Sequence, residues 1–261
     1  MTTQQFLTSE WTWNTAVLVS SGITLAAYLW AFGSNRRIVY LLAGLAVFVL
    51  TLISPLNALA AGYLFSAHML QHILLLLIVP ALLLMSLPRW VSLGSRSWLI
   101  ANPFVGWIAG VGAMWLWHAR PLCNAAVSSQ VVNVLQISSL LLLGTIFWRQ
   151  ILAPREEERM SPPGAVLYLF SACVACSILG ILITFSPVSV CPIYAQQAAD
   201  RLGILNLVQS SWGITPDKDQ QIGGLLMWVP MCLVYLTAIV AQLARWFAHP
   251  VASAPVTGKP L

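Results

Sequence analysis

The chain has 261 residues, of which 59% are hydrophobic and only 7% charged, and its mean hydropathy is +0.84. Soluble domains carry about 25% charged residues, so this composition excludes an ordinary soluble fold and points to a polytopic membrane protein. The net charge of +5 is then read as membrane topology and not as a nucleic-acid surface.

The opening stretch "MTTQQFLTSEWTW" has no basic region ahead of an apolar run and carries Glu10. It does not resemble a cleaved signal peptide, so the first apolar segment is expected to be retained. A membrane helix needs roughly 20 mostly apolar residues. Seven stretches qualify, at about 12–33, 38–55, 62–87, 102–119, 130–152, 163–187 and 221–247, the second and fourth being the shortest. Pro80 falls within the third, where it removes a backbone hydrogen bond and is expected to kink the helix. The predicted fold class is all-α, a polytopic bundle of seven transmembrane helices. Residues 1–250 form a single transmembrane domain and 251–261 a short flexible tail rich in Pro and small residues.

Basic residues fix the predicted orientation. Arg36, Arg37, Arg89, Arg96, Arg149, Arg155, Arg159, Arg245 and Lys259 fall on one side, nine of the twelve Lys and Arg residues. Arg120, Arg201 and Lys218 fall on the other. The Lys/Arg-rich side is cytoplasmic, which places the N-terminus outside and the C-terminus in the cytoplasm. Trp11, Trp13, Trp30, Trp90, Trp115, Trp117, Trp148 and Trp246 lie near the predicted span ends, where an aromatic belt belongs. The external stretch 188–220 is long enough to hold a short interfacial helix.

With that orientation, the polar residues of the spans gather at the outer face. His68 and His72 in "SAHMLQHILLLLIVP" lie one turn apart on one helix face, in the outer part of span three. His118 in "MWLWHARP" ends span four, and Asp217, Asp219, Gln220 and Gln221 precede span seven, with Met227 two turns deeper. Two imidazoles at that spacing can chelate one metal and His118 can add a third nitrogen. Met69, Met114 and Met227 are thioether candidates, of which Met227 is the expected soft ligand. Imidazole with thioether suits copper, Cu(I) above all, although imidazole alone also accepts zinc. Asp219 is read as an outer carboxylate that orients an imidazole. The alternatives are packing for the methionines, interhelical hydrogen bonding for the histidines and a helix start for Asp219.

"CVAC", with Cys173 and Cys176, resembles a redox or metal pair, but cysteine is also a small hydrophobe favoured where membrane helices pack. Five scattered cysteines make no disulfide framework; Cys123 and Cys191 both face outside, where disulfides survive, which leaves open either a bridge between them or two free thiols. "REEER", residues 155–159, reads as a solvated cytoplasmic loop. No Walker loop, dinucleotide fingerprint, HExxH motif or hydrolase elbow occurs, and no enzymatic activity is expected.

"SPLNALAAGYLFSAHMLQHILLLLIVPALLLMSLP", "MWLWHARPLCNAAV" and "TPDKDQQIGGLLMWVPMCLVYL" together resemble the integral-membrane CtaG-like cytochrome c oxidase assembly factors, over roughly residues 40–247. The resemblance implies a protein of the bacterial plasma membrane that assembles a haem-copper oxidase and delivers copper to its catalytic subunit from the outer face. Its partners would be that oxidase subunit, membrane lipid and a periplasmic copper donor, with no nucleic acid. The matched positions are His68, His72, His118, Asp219 and Met227. Many members of that family also carry a histidine pair early in the fifth helix, where this sequence has Asn133, Gln136 and Ile137. Two rival readings are a b-type haem carrier using His68 or His72 with His118 as axial ligands, and a metal transporter. The scarcity of ionisable groups in the inner halves of the spans argues against the transporter.

Overall fold

A computed structural model describes residues 2–94, 101–196, 200 and 203–248, and among these all regular structure is helical, with no strand. The elements are α1 (Thr3–Ser9), α2 (Thr15–Phe32), α3 (Ile38–Ile53), α4 (Pro55–Ala60), α5 (Phe65–Ser86), α6 (Pro103–Trp117), α7 (Arg120–Ser128), α8 (Gln130–Leu152), α9 (Pro162–Phe185), α10 (Pro192–Gln196), α11 (Ile204–Asn206) and α12 (Pro216–Ala248). Their limits follow from local chemistry. The Asn14 side chain accepts from the amides of Ala16 and Val17 at the start of α2, and Gly33, at φ 64°, follows its end. Ser54 closes α3 and caps α4, whose first residue is Pro55.

Five helices, α2, α5, α8, α9 and α12, are long and apolar enough to cross a membrane; α3 and α6 are shorter apolar helices. Lipid replaces water around such a bundle, so large apolar side chains point outward without penalty. Leu142, Leu167, Phe170 and Leu233 are each more than half exposed. α5 is the most enclosed of the five, with 61% of its apolar window buried against 11–39% for the others. It packs on α3, α8 and α12, while α9 pairs with α12 and α6 with α8.

The connections collect at two ends. At one, Arg37 donates to the carbonyls of Met85 and Leu87, Arg149 to that of Leu93 and Arg155 to that of Trp90. At the other, Tyr194 donates to the Ala60 carbonyl, the Val190 amide to Gln220, and the Trp212 indole to Thr3. A second small core of Phe6, Ala58, Leu64, Ile204, Leu207 and Val208 roofs this second end. The short helices α10 and α11, with a π turn at Leu207–Ser211, occupy the stretch expected to hold an interfacial helix.

Three expectations change. α12 begins at Pro216, so Asp217, Asp219, Gln220 and Gln221 lie in its first turns and not ahead of it. Proline at the first position and acidic residues in the first turn both suit a helix start. Trp117 and Trp148 are core residues, 8% and 3% exposed, unlike Trp30 at 91% and Trp13 at 75%; Trp117 donates to Ser139 and Trp148 stacks on Tyr235. "REEER" is more than a solvated run, because Glu158 accepts from Ser92 and from the Leu93 amide and lies 3.9 Å from Arg149. Arg96, Arg201, His249, Lys259 and the tail at 251–261 lie outside the described residues.

Pro80 acts through the turn that precedes it. A proline has no N–H for the carbonyl four residues back, here that of Leu76. Residues Leu74–Ile78 form a π turn, in which the Val79 amide bonds the Leu74 carbonyl. The Leu76 carbonyl faces Gly144 of α8 so closely that a Cβ on that glycine would collide with it. Small residues let membrane helices approach to this distance. Gly144→Ala should therefore lower stability by about 1–3 kcal/mol. Gly22→Ala, at a position with open space around it, should leave it nearly unchanged. Thermal unfolding of both variants in detergent checks the pair.

Candidate metal centre

The first turn of α5 cannot satisfy its own amides, and its N-cap residue, Leu64, offers no side-chain bond. Asp219 of α12 supplies it, with one carboxylate oxygen accepting from the Phe65 amide at 2.6 Å and the other from the Ser66 amide at 2.9 Å. Both oxygens are thereby engaged by backbone. Asp219, expected to orient an imidazole, instead binds the amides that start the helix carrying the histidines.

His68 and His72 follow on that helix, each almost fully buried. Their Nε2 atoms lie 3.1 Å apart and their rings 4.5 Å centroid to centroid. His118, the C-cap residue of α6, brings its ring to 5.2 Å from that of His72. The three predicted histidines therefore meet. Among the described residues no group of three or more His, Cys, Asp and Glu side chains is arranged to hold a metal ion. What converges is a mixed set in which Met69 and Gln136 join the imidazoles.

Hydrogen bonds assign the tautomers. His118 Nδ1 bonds the Met114 carbonyl, which can only accept, so Nδ1 carries the proton and Nε2 is bare. That bare nitrogen faces the Met69 sulfur at 2.9 Å, and a thioether has no hydrogen to give. The amide nitrogen of Gln136 lies 3.4 Å from His68 Nε2. An amide NH2 donates, so His68 Nε2 is the acceptor; His72 Nε2 is then the donor of the histidine pair, and the two donors share the one lone pair of His68 Nε2. His72 is then bare at Nδ1, an atom buried without a hydrogen-bond partner.

Met69 is the thioether at the imidazoles. Met227 is wholly buried on α12, one turn beyond Gly223, which packs on Phe65 and Met69. A cleft of about 460 Å3 reaches His118 from the side, lined by Leu179, Leu182, Phe185 and Val190 among others. Leu182 and Phe185 are exposed on the apolar flank of α9.

The profile of the cytochrome c oxidase caa3 assembly factors matches residues 25–249. The chain belongs to that family. Similar proteins include an uncharacterized protein of Mycobacterium leprae (strain TN), 26% identical over 244 residues that cover 85% of this chain and 35% of the relative. Another is an uncharacterized protein of Mycobacterium bovis (strain ATCC BAA-935 / AF2122/97), 23% identical over 266 residues, 88% of this chain and 38% of the relative. The chain thus spans little more than a third of the length of these relatives. No solved structure matches it.

In the stretch of α8 where a further histidine pair was expected and is missing, Gln136 reaches His68. The sequence flagged position 136 only as a departure. The two thiols of "CVAC" meet different partners. Cys173 lies 3.1 Å from Cys232 of α12, while Cys176 faces the Tyr235 hydroxyl, and all three cysteines are free. Cys123 and Cys191 form a disulfide that ties α7 to the start of α10.

Removing the Asp219 carboxylate would leave two buried amides unsatisfied, at about 1–3 kcal/mol each. Asp219→Ala should therefore unfold at clearly lower temperature in detergent, and hydrogen exchange at Phe65 and Ser66 should rise while Asp217→Ala leaves both unchanged.

Proposed function

We propose that this oxidase assembly factor holds one Cu(I) ion as cargo between α5 and α6 and passes it to the catalytic subunit of a haem-copper oxidase. It would be a non-catalytic carrier in a bacterial plasma membrane. The observation that carries the reading is the contact of His118 Nε2 with the Met69 sulfur. Two lone pairs facing at 2.9 Å, with the imidazole proton committed on the far side, suit a cation between them. His68 Nε2, whose lone pair faces the His72 N–H, and the bare His72 Nδ1 are the other nitrogen lone pairs of the cluster. Neutral imidazole with thioether is a soft set that favours Cu(I) over harder ions. Met69 serves here in place of Met227, and Gln136 contributes a hydrogen bond where a histidine would contribute a ligand.

The reading takes the five long helices and the two shorter apolar ones, α3 and α6, as seven crossings with the histidines at the outer face. The Cys123–Cys191 disulfide lies at the histidine end, and disulfides persist outside the cytoplasm. The arginines at the other end suit the cytoplasmic face. The ring contacts favour a small ion over a porphyrin lodged between the imidazoles.

Purified protein loaded with Cu(I) should retain copper, and His68→Ala/His72→Ala should lower the retained copper by more than about tenfold. Met69→Leu should weaken Cu(I) far more than Zn(II). Acidification should release the metal, because a protonated imidazole cannot ligate. Equal copper in wild type and the double variant would reject the ligand set, and a Soret band in the haem-supplied protein would favour the haem reading.

A further inference from the structure

At the arginine end, α2 leans on the bundle chiefly through α3. A groove of about 790 Å3 remains between α2, the last turns of α5 and α8. Its walls are apolar, with Ala27, Phe32, Leu83, Leu142 and Ile146 among them. Ala27 and Leu142 are exposed, so the groove opens to the bilayer along its length. This volume lies within the range of about 300–1,000 Å3 typical of ligand sites.

The end of the groove is different. Arg149, buried to 6% exposure, lines it. Arg37 donates through Nη1 to the carbonyl of Leu87, itself a lining residue. Trp90 packs on Phe32 at this mouth, and Arg155 holds the Trp90 carbonyl. Arg159 is crowded as well. Burial, then Arg245, hold its guanidinium below the ordinary value against the pull of Glu156, and Arg89 and Arg37 press in the same direction. The acidic groups facing this cluster are Glu156 and Glu157, which border a neighbouring pocket with Arg89 and Arg155, and Glu158, engaged by Ser92 and Leu93. Arg149 thus lines one end of an apolar slot with Arg37 beside it and Glu158 3.9 Å from Arg149, while Arg89 and Arg155 border the neighbouring pocket with the three glutamates.

We propose that this groove is a binding site for an anionic phospholipid. One acyl chain lies along α2 between α5 and α8, and the headgroup phosphate meets the guanidinia of Arg37 and Arg149. The lipid fills the gap beside α2 and offsets the surplus positive charge. The shape and the charge select together. A zwitterionic lipid fills the slot but brings its own cation to the arginines, and a free phosphate meets the arginines but buries no apolar surface. Basic pockets between membrane helices take anionic headgroups for this reason. The proposal is independent of copper binding at the opposite end.

Delipidated full-length protein in non-ionic detergent is titrated with phosphatidylglycerol, phosphatidylcholine of the same chains, and glycerol phosphate, and read by native mass spectrometry and thermal unfolding. Phosphatidylglycerol should bind at least about fivefold more tightly than phosphatidylcholine, and glycerol phosphate should not raise the unfolding temperature. Arg37→Gln should erase the preference while leaving phosphatidylcholine binding in place. Ala27→Phe, which obstructs the slot without touching an arginine, should weaken both lipids. Equal binding of the two lipids by the wild type overturns the proposal, as does stabilisation by glycerol phosphate equal to that by phosphatidylglycerol. Full phosphatidylglycerol binding by Ala27→Phe does the same, and that comparison stands should Arg37→Gln fail to fold.

Discussion

The carboxylate of Asp219 is the interaction on which the histidine end depends. A helix that begins inside a bundle leaves amides that no water can reach, and α5 begins in such a place. The two bonds from Phe65 and Ser66 join residues more than 150 positions apart in sequence. They set where α5 starts, hence the rotation of the face that carries His68 and His72. They also draw α12 against Met69 by way of Gly223. A charged side chain in the bundle is thereby a structural part before it is a chemical one.

The π turn below the histidines works by a related logic. Pro80 deprives one carbonyl of its donor, and the widened turn lets α5 keep its path while that carbonyl rests on Gly144 of α8. α8 is thus held close to α5, and the same helix presents Gln136 to His68 further up. The site is assembled from packing constraints that lie outside it, in a bundle whose middle helix is nearly enclosed and whose outer helices face lipid.

Much of this was legible in the chain itself. Long apolar runs located the main helices within a few residues, because membrane helices need length and little else. The i, i+4 histidines had to share a face, and short connections had to bring His118 to the same end. Pairing across helices was not legible. Nothing in "CVAC" says that Cys173 would find Cys232 and Cys176 would find Tyr235, since a period of 3.6 gives the face of a helix but not its neighbour. Asp219 was visible as an acidic residue near the site, but its actual partners were amides, which every residue carries. Tryptophans at helix ends were read by depth alone, and depth does not distinguish Trp148, turned into the core, from Trp30, turned out.

The roof over the histidine end has a consequence for the direction of approach. α1, α4 and the turns after α11 cover the top of the bundle with apolar side chains, while the cleft at His118 opens along the flank of α9. Beside that roof, a small polar pocket of about 210 Å3 lies between Asn57, Gln71, Gln130 and Asn133. A molecule diffusing in the plane of the membrane meets the opening edge-on. For anything that approaches along that flank, encounter with the bundle is a two-dimensional search between neighbours in one bilayer.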